Sequence, residues 1–417
     1  MKNLLNRIAL LALASCLLLG VGFATTTAAG GGSGSPDNAP ITLPERSSAA
    51  KPATLRSTAT RPTMRRSRQV ADPLRLSSYG NPGADDNPAG DDPVVRQAAL
   101  KALGKLSGSI VVVNPNSGRI LSIVNQKLAL SSGFTPCSTF KPLVALAALR
   151  EGIITPNTKL DVGEHTRMNV TDALAHSNNA FFHKLGETLG FKRITEYAQE
   201  FGIGEKAGQD IPGESAGHYP SAPPKDGGVG HLAYCGTGVE VTPLQMAAVI
   251  STIANGGTLY ALQYPRTLDQ IAVFQPIVRR RLDNLTANFP QIHDGLAGSV
   301  LYGTGHSAYD PDLSIYGKTG TCSEDGAHLG WFVSYAGDVH AQYVAVVLLR
   351  GGQTMFGPYA AGIAGHFYRD LMQKERPTQA SRVASSSLAS RRSSLPGRRP
   401  AAIRSVRNGM PVGKIEG

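Results

Sequence analysis

Two amines, five hydroxyl groups and two carboxamides occur in this chain within three short patterns. They are Ser138-Thr139-Phe140-Lys141, Ser177-Asn178-Asn179 and Lys318-Thr319-Gly320-Thr321. In the forms S-x-x-K, S-x-N and K-T-G they offer a hydroxyl nucleophile, an amine to take its proton, a hydroxyl relay beside an amide, and a cationic strand edge. Those are the parts acyl transfer needs, together with donors aimed at a developing oxyanion. A lone S-x-x-K arises by chance about once in a chain of this composition. Ser48 to Lys51 is such a copy, set in a Pro/Ser/Thr/Arg stretch with no apolar periodicity to bury a lysine. The order of the three patterns, each in a suitable local setting, carries the chemical meaning.

Those settings can be read locally. The apolar run Leu143 to Leu149, closed by Arg150-Glu151-Gly152, predicts a buried helix with a glycine stop. Pro136 and Pro142 suit a helix start, where first-turn N–H groups have no intrahelical partner. Ser138 therefore falls at a helix N-terminus, with Lys141 on the same face three residues on. A helix that merely begins with a capping serine is the plain alternative, but a lysine on an apolar helix needs a partner or a function. Thr171-Asp172 marks a helix start for Val170 to Ala175, and the S-N-N triplet joins it to a helix beginning at Ala180-Phe181-Phe182. The K-T-G-T lies in a strand from Ser314 to Cys322, followed by strands at Leu329 to Ala336 and Gln342 to Leu349.

From about Gly108 to about Gln373 the chain resembles the transpeptidase domain of penicillin-binding proteins, closer to the class B type than to class A. Ser109 to Val124, turning at Asn114-Pro115-Asn116-Ser117-Gly118, resembles that family's first hairpin. Phe201-Gly202-Ile203-Gly204, Gly236-Thr237-Gly238, Val241-Thr242-Pro243-Leu244-Gln245 and Gly303-Thr304-Gly305 resemble its recurrent turns. The resemblance implies the α/β sandwich of the DD-peptidase/β-lactamase type: a five-stranded antiparallel sheet flanked by helices, with a mostly helical subdomain. Tyr359 to Gln373 is then the helix packed on the sheet.

Roles follow from the resemblance residue by residue. Ser138 is the nucleophile, and Lys141 is its base, neutral at rest through burial and through the charge of Lys318. Ser177 passes a proton to the leaving amine, Asn179 holds the substrate amide, and Asn178 points elsewhere. Lys318, Thr319, Gly320 and Thr321 bind the substrate carboxylate, and the backbone N–H groups of Ser138 and Thr321 form the oxyanion hole. Of four cysteines, Cys137 and Cys322 flank the nucleophile and the K-T-G-T. If the family geometry holds they face each other, and a disulfide between them is expected; otherwise they are small residues in tight places. No metal-ligand spacing is present, and no cofactor is expected.

The expected substrates are peptidoglycan stem peptides and β-lactams. No glutamate after Ser177 has the E-x-x-x-N spacing that activates water in class A β-lactamases; Glu164 and Asn169 come close but precede it. A transpeptidase is the lead reading, with a β-lactamase, a DD-carboxypeptidase or a non-catalytic β-lactam sensor as alternatives. The ends are of another kind. Lys2 and Arg7 precede an apolar run, Ile8 to Ala24, read as an export signal or membrane anchor (residues 1–24). Residues 25–92 read as a flexible linker, 93–375 as the catalytic domain and 376–417 as a disordered basic tail that carries most of the net charge of +11. Export argues against a nucleic-acid partner, so contact with membrane or cell-wall polymer is the alternative use of the termini. The compartment is periplasmic or otherwise extracytoplasmic.

Overall fold

The computed structural model describes residues 77–131, 133–337, 341–353 and 355–375. The export segment, the basic tail and the linker up to residue 76 lie outside the described residues. Strands β1 (Gly108–Asn114) and β2 (Arg119–Val124) form the first hairpin; β3 (Leu160–Gly163) pairs with β4 (Thr166–Met168), and β5 (Thr258–Ala261) with β6 (Ile277–Arg281). Strands β7 (Ile315–Glu324), β8 (Ala327–Ala336) and β9 (Tyr343–Gly351) complete the main sheet, whose order is β2-β1-β9-β8-β7. All its pairings are antiparallel, and β9 closes the circuit by pairing with β1.

Helices cover both faces of this sheet, which is why its strands read as continuous apolar runs rather than alternating ones. The two faces nevertheless sort with a period of two. Val111, Val113, Val344, Val346 and Leu348 join the core under the helical lobe. Ile110, Val112, Ala345, Val347 and Leu349 join a second core on the opposite face. That second core is roofed by α1 (Pro93–Leu103) and by the last helix, and each fully buried Val or Leu contributes about 1.5–3 kcal/mol of transfer free energy.

The helical lobe is built from α2 (Gln126–Leu130), α3 (Lys141–Arg150), α4 (Val170–Ala175), α5 (Asn179–Glu200), α6 (Gly228–Cys235), α7 (Pro243–Ala254), α8 (Leu268–Ala272) and α9 (Phe289–Leu301), with α10 (Gly357–Glu375) on the other face. Helix α7 starts with a reciprocal cap: Thr242 Oγ1 accepts from Gln245 N, and Gln245 Oε1 accepts from Thr242 N. This gives the Val241-Thr242-Pro243-Leu244-Gln245 turn its physical content. The Gln245 amide also donates to Glu205 O and Ala216 O, both at 2.7 Å, tying two loops to the helix.

Two sequence expectations shift. Helix α4 is capped by Asn169, whose Oδ1 accepts from Asp172 N, and not by Thr171. The linker does not run to residue 92. From Ser77 the chain lies on the domain, because Asp86 and Asp91 both pair with Arg96 at 3.1 and 2.7 Å, and Asp86 also accepts from the N–H groups of Asn125 and Gln126. Two nearly buried carboxylates with charged and backbone partners fix a stretch whose composition alone reads as loose.

Candidate active site

The nucleophile pattern begins in a tight turn. Cys137–Phe140 is a 3-10 helix that runs straight into α3, with Lys141 N donating to Ser138 O. Cys137 has φ +51, the left-handed region that disfavours a side chain by about 1–2 kcal/mol. Its surroundings hold it there. Thr135 N donates to Glu324 Oε2 at 2.6 Å, and Thr135 O accepts from Trp331 Nε1 at 3.0 Å. Cys137 is disulfide-bonded to Cys322 of β7, with Cα atoms 5.8 Å apart. Two glycines press on the same turn. A side chain at Gly320 of β7 would meet Pro136 O and Thr139 Cγ2 at 3.0 Å, and one at Gly236, just past α6, would meet the Pro136 ring at 2.4 Å. Strand β7 and the end of α6 thus grip the nucleophile turn at different sides of Pro136, with Ser138 partly exposed between them.

Lys141 is completely buried. Its Nζ lies 2.6 Å from Ser177 O, 2.6 Å from Asn179 Oδ1 and 3.1 Å from Ser177 Oγ. Burial is the dominant effect on it and lowers its pKa to about 7, with Cys235 opposing as the one charge partner. A neutral amine has two N–H donors and one lone pair. The two carbonyl-type oxygens take the donors, which leaves the lone pair to Ser177 Oγ–H. The Ser138 hydroxyl is not among these three partners. Ser177, like Cys137, is a non-glycine residue in the left-handed region, at φ +55, so the S-x-N turn is strained where it meets the lysine. Asn178 caps α5 through Phe181 N at 2.8 Å and so faces away from Lys141's partners.

Lys318 is also completely buried, on β7, and donates to Thr319 O at 3.0 Å. Burial first, and the charge of Lys141 second, push its pKa well below the usual lysine value. Lys318 thus lies within electrostatic reach of Lys141. Thr319 is held by a 2.6 Å hydrogen bond to Thr304, and Thr321 Oγ1 accepts from Gly357 N at 2.8 Å, so both hydroxyls of the K-T-G-T have fixed partners.

The structure therefore brings Lys141, Ser177 and Asn179 into direct contact and sets Ser138, Cys137, Cys322, Lys318, Thr319, Gly320 and Thr321 around the same turn and strand. Sequence reasoning missed three neighbours. Thr304 lies in a turn noted only for its glycines. Cys235 hydrogen-bonds Thr237 and acts on the charge of Lys141. Tyr234 has its ring centroid 6.0 Å from Lys141 Nζ. None of these belongs to a pattern that spacing could reveal.

The comparisons with known proteins agree with this geometry. The model of the penicillin binding protein transpeptidase domain matches residues 108–373. Stage V sporulation protein D of Bacillus subtilis is 31% identical over 317 residues, covering 63% of this chain and 48% of that protein. Peptidoglycan D,D-transpeptidase FtsI of Escherichia coli K12 is 24% identical over 293 residues, covering 61% of this chain and 48% of that protein. This chain thus spans about half the length of these relatives. Among solved structures, the transpeptidase domain of Burkholderia pseudomallei penicillin-binding protein 3 superposes with a TM-score of 0.59 at 20% identity, over 70% of this chain and 97% of that one. The three patterns, the contacts that join two of them at Lys141 and a family match over most of the described residues lead to one conclusion: this chain belongs to the penicillin-binding protein transpeptidase domain family.

Proposed function

We propose that the protein is an exported, penicillin-sensitive DD-transpeptidase that cross-links peptidoglycan stem peptides through a serine acyl-enzyme. The observation that carries this reading is the contact of a buried Lys141 with both Ser177 and Asn179. It joins the S-x-x-K and S-x-N patterns into one proton-transfer unit. Ser138 attacks the carbonyl of a D-Ala-D-Ala peptide bond, and neutral Lys141 takes its proton. Ser177 hands a proton to the leaving D-alanine amine. Asn179, with its Oδ1 held by Lys141, donates its amide N–H groups to a substrate carbonyl. Lys318, with Thr319, Gly320 and Thr321, receives the substrate carboxylate. The arriving negative charge favours the protonated form of Lys318. The backbone N–H groups of Ser138 and Thr321 serve the oxyanion.

Transfer to an amine rather than to water is favoured by the sequence, in which no glutamate after Ser177 has the E-x-x-x-N spacing. The Cys137–Cys322 bond fits an oxidising, extracytoplasmic compartment. We further propose residues 1–24 as the export signal or anchor, 25–76 as its tether, and the termini as the parts that contact membrane or cell-wall polymer. Among the described residues no helix is long and apolar enough to cross a membrane. Labelling with a fluorescent penicillin, followed with and without a D-amino acid acceptor, tests the reading. Release that depends on the amine is expected. Rapid release into water would make the protein a lactamase or carboxypeptidase, and a permanent label with no peptide turnover would make it a sensor.

A further inference from the structure

Beside Lys141 stand rings that the mechanism above does not use. Tyr234, in the last turn of α6, has its ring centroid 6.0 Å from Lys141 Nζ and remains partly exposed. His231 of the same helix lies 4.8 Å from it, centroid to centroid, and His183 of α5 lies 6.3 Å away. Both imidazoles sit in places made by missing side chains. A Cβ at Gly227 would meet the His231 ring at 2.4 Å, and one at Gly230 would meet the His183 ring at 2.5 Å. Gly230 N donates to Glu187 Oε1 at 3.0 Å, which places a carboxylate one helical turn past His183. The cluster is thus a set of π faces with a carboxylate behind it, on the helical side of the nucleophile turn. The carboxylate-binding strand β7 enters that turn by another route.

Aromatic faces such as that of Tyr234 attract cations. The donor peptide's carboxylate has its place at Lys318. The reactant still without one is the second substrate, a primary amine that arrives as an ammonium ion. Resting on the acyl-transfer reading, we propose that Tyr234, flanked by His183 and His231 and supported by the charge of Glu187, is the subsite that receives the ammonium group of the acyl acceptor. From there the ammonium gives one proton to neutral Lys141 and becomes a nucleophilic amine. As its nitrogen bonds to the acyl carbon, its second proton passes through Ser177 Oγ to Ser138 Oγ, and the serine ester C–O bond breaks. The products are the new amide, the free serine hydroxyl and a protonated Lys141, which returns its proton to water.

The test reads the partition of a preformed acyl-enzyme of the full chain between aminolysis and hydrolysis, a ratio set after acylation. The acceptors are D-alanine, whose amine is charged at neutral pH, and hydroxylamine, which is largely uncharged there. Tyr234→Leu is expected to lower the D-alanine partition ratio roughly tenfold and the hydroxylamine ratio by less than about twofold, while Tyr234→Phe keeps both within about twofold. His183→Ala, at an exposed ring, gives the same selective loss at roughly threefold. Equal losses with both acceptors, or no loss with either, would overturn the assignment. Failure of the unaltered protein to form any adduct would instead overturn the acyl-transfer reading, and this subsite with it.

Discussion

The two buried lysines stand in opposite kinds of place. Lys141 is reached by the S-x-N turn and has three partners, two oxygens that want its protons and a hydroxyl that can share its lone pair. Lys318 lies on β7 with one hydrogen bond, to the carbonyl of its own neighbour Thr319. Burial lowers the pKa of both, that of Lys141 to about 7 and that of Lys318 well below the usual lysine value. The difference teaches what each is set up to do. Lys141 is poised to exchange a proton at the working pH, as a base must. Lys318 has no carboxylate among the causes of its shift, so an arriving anion would favour its protonated form.

Removing each amine breaks the comparison most directly. Lys141→Ala is expected to slow acylation by labelled penicillin by roughly 10³-fold, within the range for loss of a positioned base. Lys318→Met should cost less, roughly 10²-fold in the second-order acylation constant, as expected when one member of a buried charge pair is lost. It should also stabilise the free protein. With a folded pKa below the unfolded one, Lys318 penalises the native state most at low pH, where both states are protonated. The penalty fades as pH rises from the folded pKa towards the unfolded value. The melting temperature of Lys318→Met should therefore exceed that of the parent, by a margin that shrinks from pH 6 to pH 10; an unchanged margin would remove the burial argument.

The pH profile sharpens the contrast further. Acylation should fall about tenfold per unit below the Lys141 pKa of about 7, since only the neutral amine accepts a proton. A rate flat from pH 5 to pH 8 would contradict the role given to Lys141. The smallest effect on rate is expected from the bond that ties the two sides together. Cys137→Ser, or reduction of the Cys137–Cys322 pair, should lower stability by about 3 kcal/mol in urea unfolding. Acylation should drop less than about tenfold, because Glu324 and Trp331 still hold Thr135 in the nucleophile turn. Loss of all acylation on reduction would make the disulfide part of the site.

The strands of the sheet were legible because burial on both faces forces long apolar runs, and β7, β8 and β9 fall within a few residues of their sequence positions. The start of α3 was legible because proline and an apolar run leave few alternatives. The cap of α4 was misread by two residues, since Asn169 and Thr171 are both good capping types and only the fold decides which oxygen meets Asp172 N. The stretch 77–92 was misread because Asp86 and Asp91 look solvated until Arg96 and the 125–126 turn are brought beside them.

By itself the sequence determined which chemistry is present, since a hydroxyl, two amines and an amide in three ordered patterns limit the reaction to a narrow class. It also determined the sheet, since periodicity and burial are properties of neighbouring residues. The electrostatic character of each group was decided only by the tertiary structure. Whether a lysine is a base or a charge receptor depends on how many oxygens surround it and how much water is excluded, and those neighbours come from residues 36 and 38 positions away for Lys141. The same is true of Tyr234 and its two histidines. Glycines at 227 and 230 leave room for those rings, and only the packing of α6 against α5 turns that room into a wall.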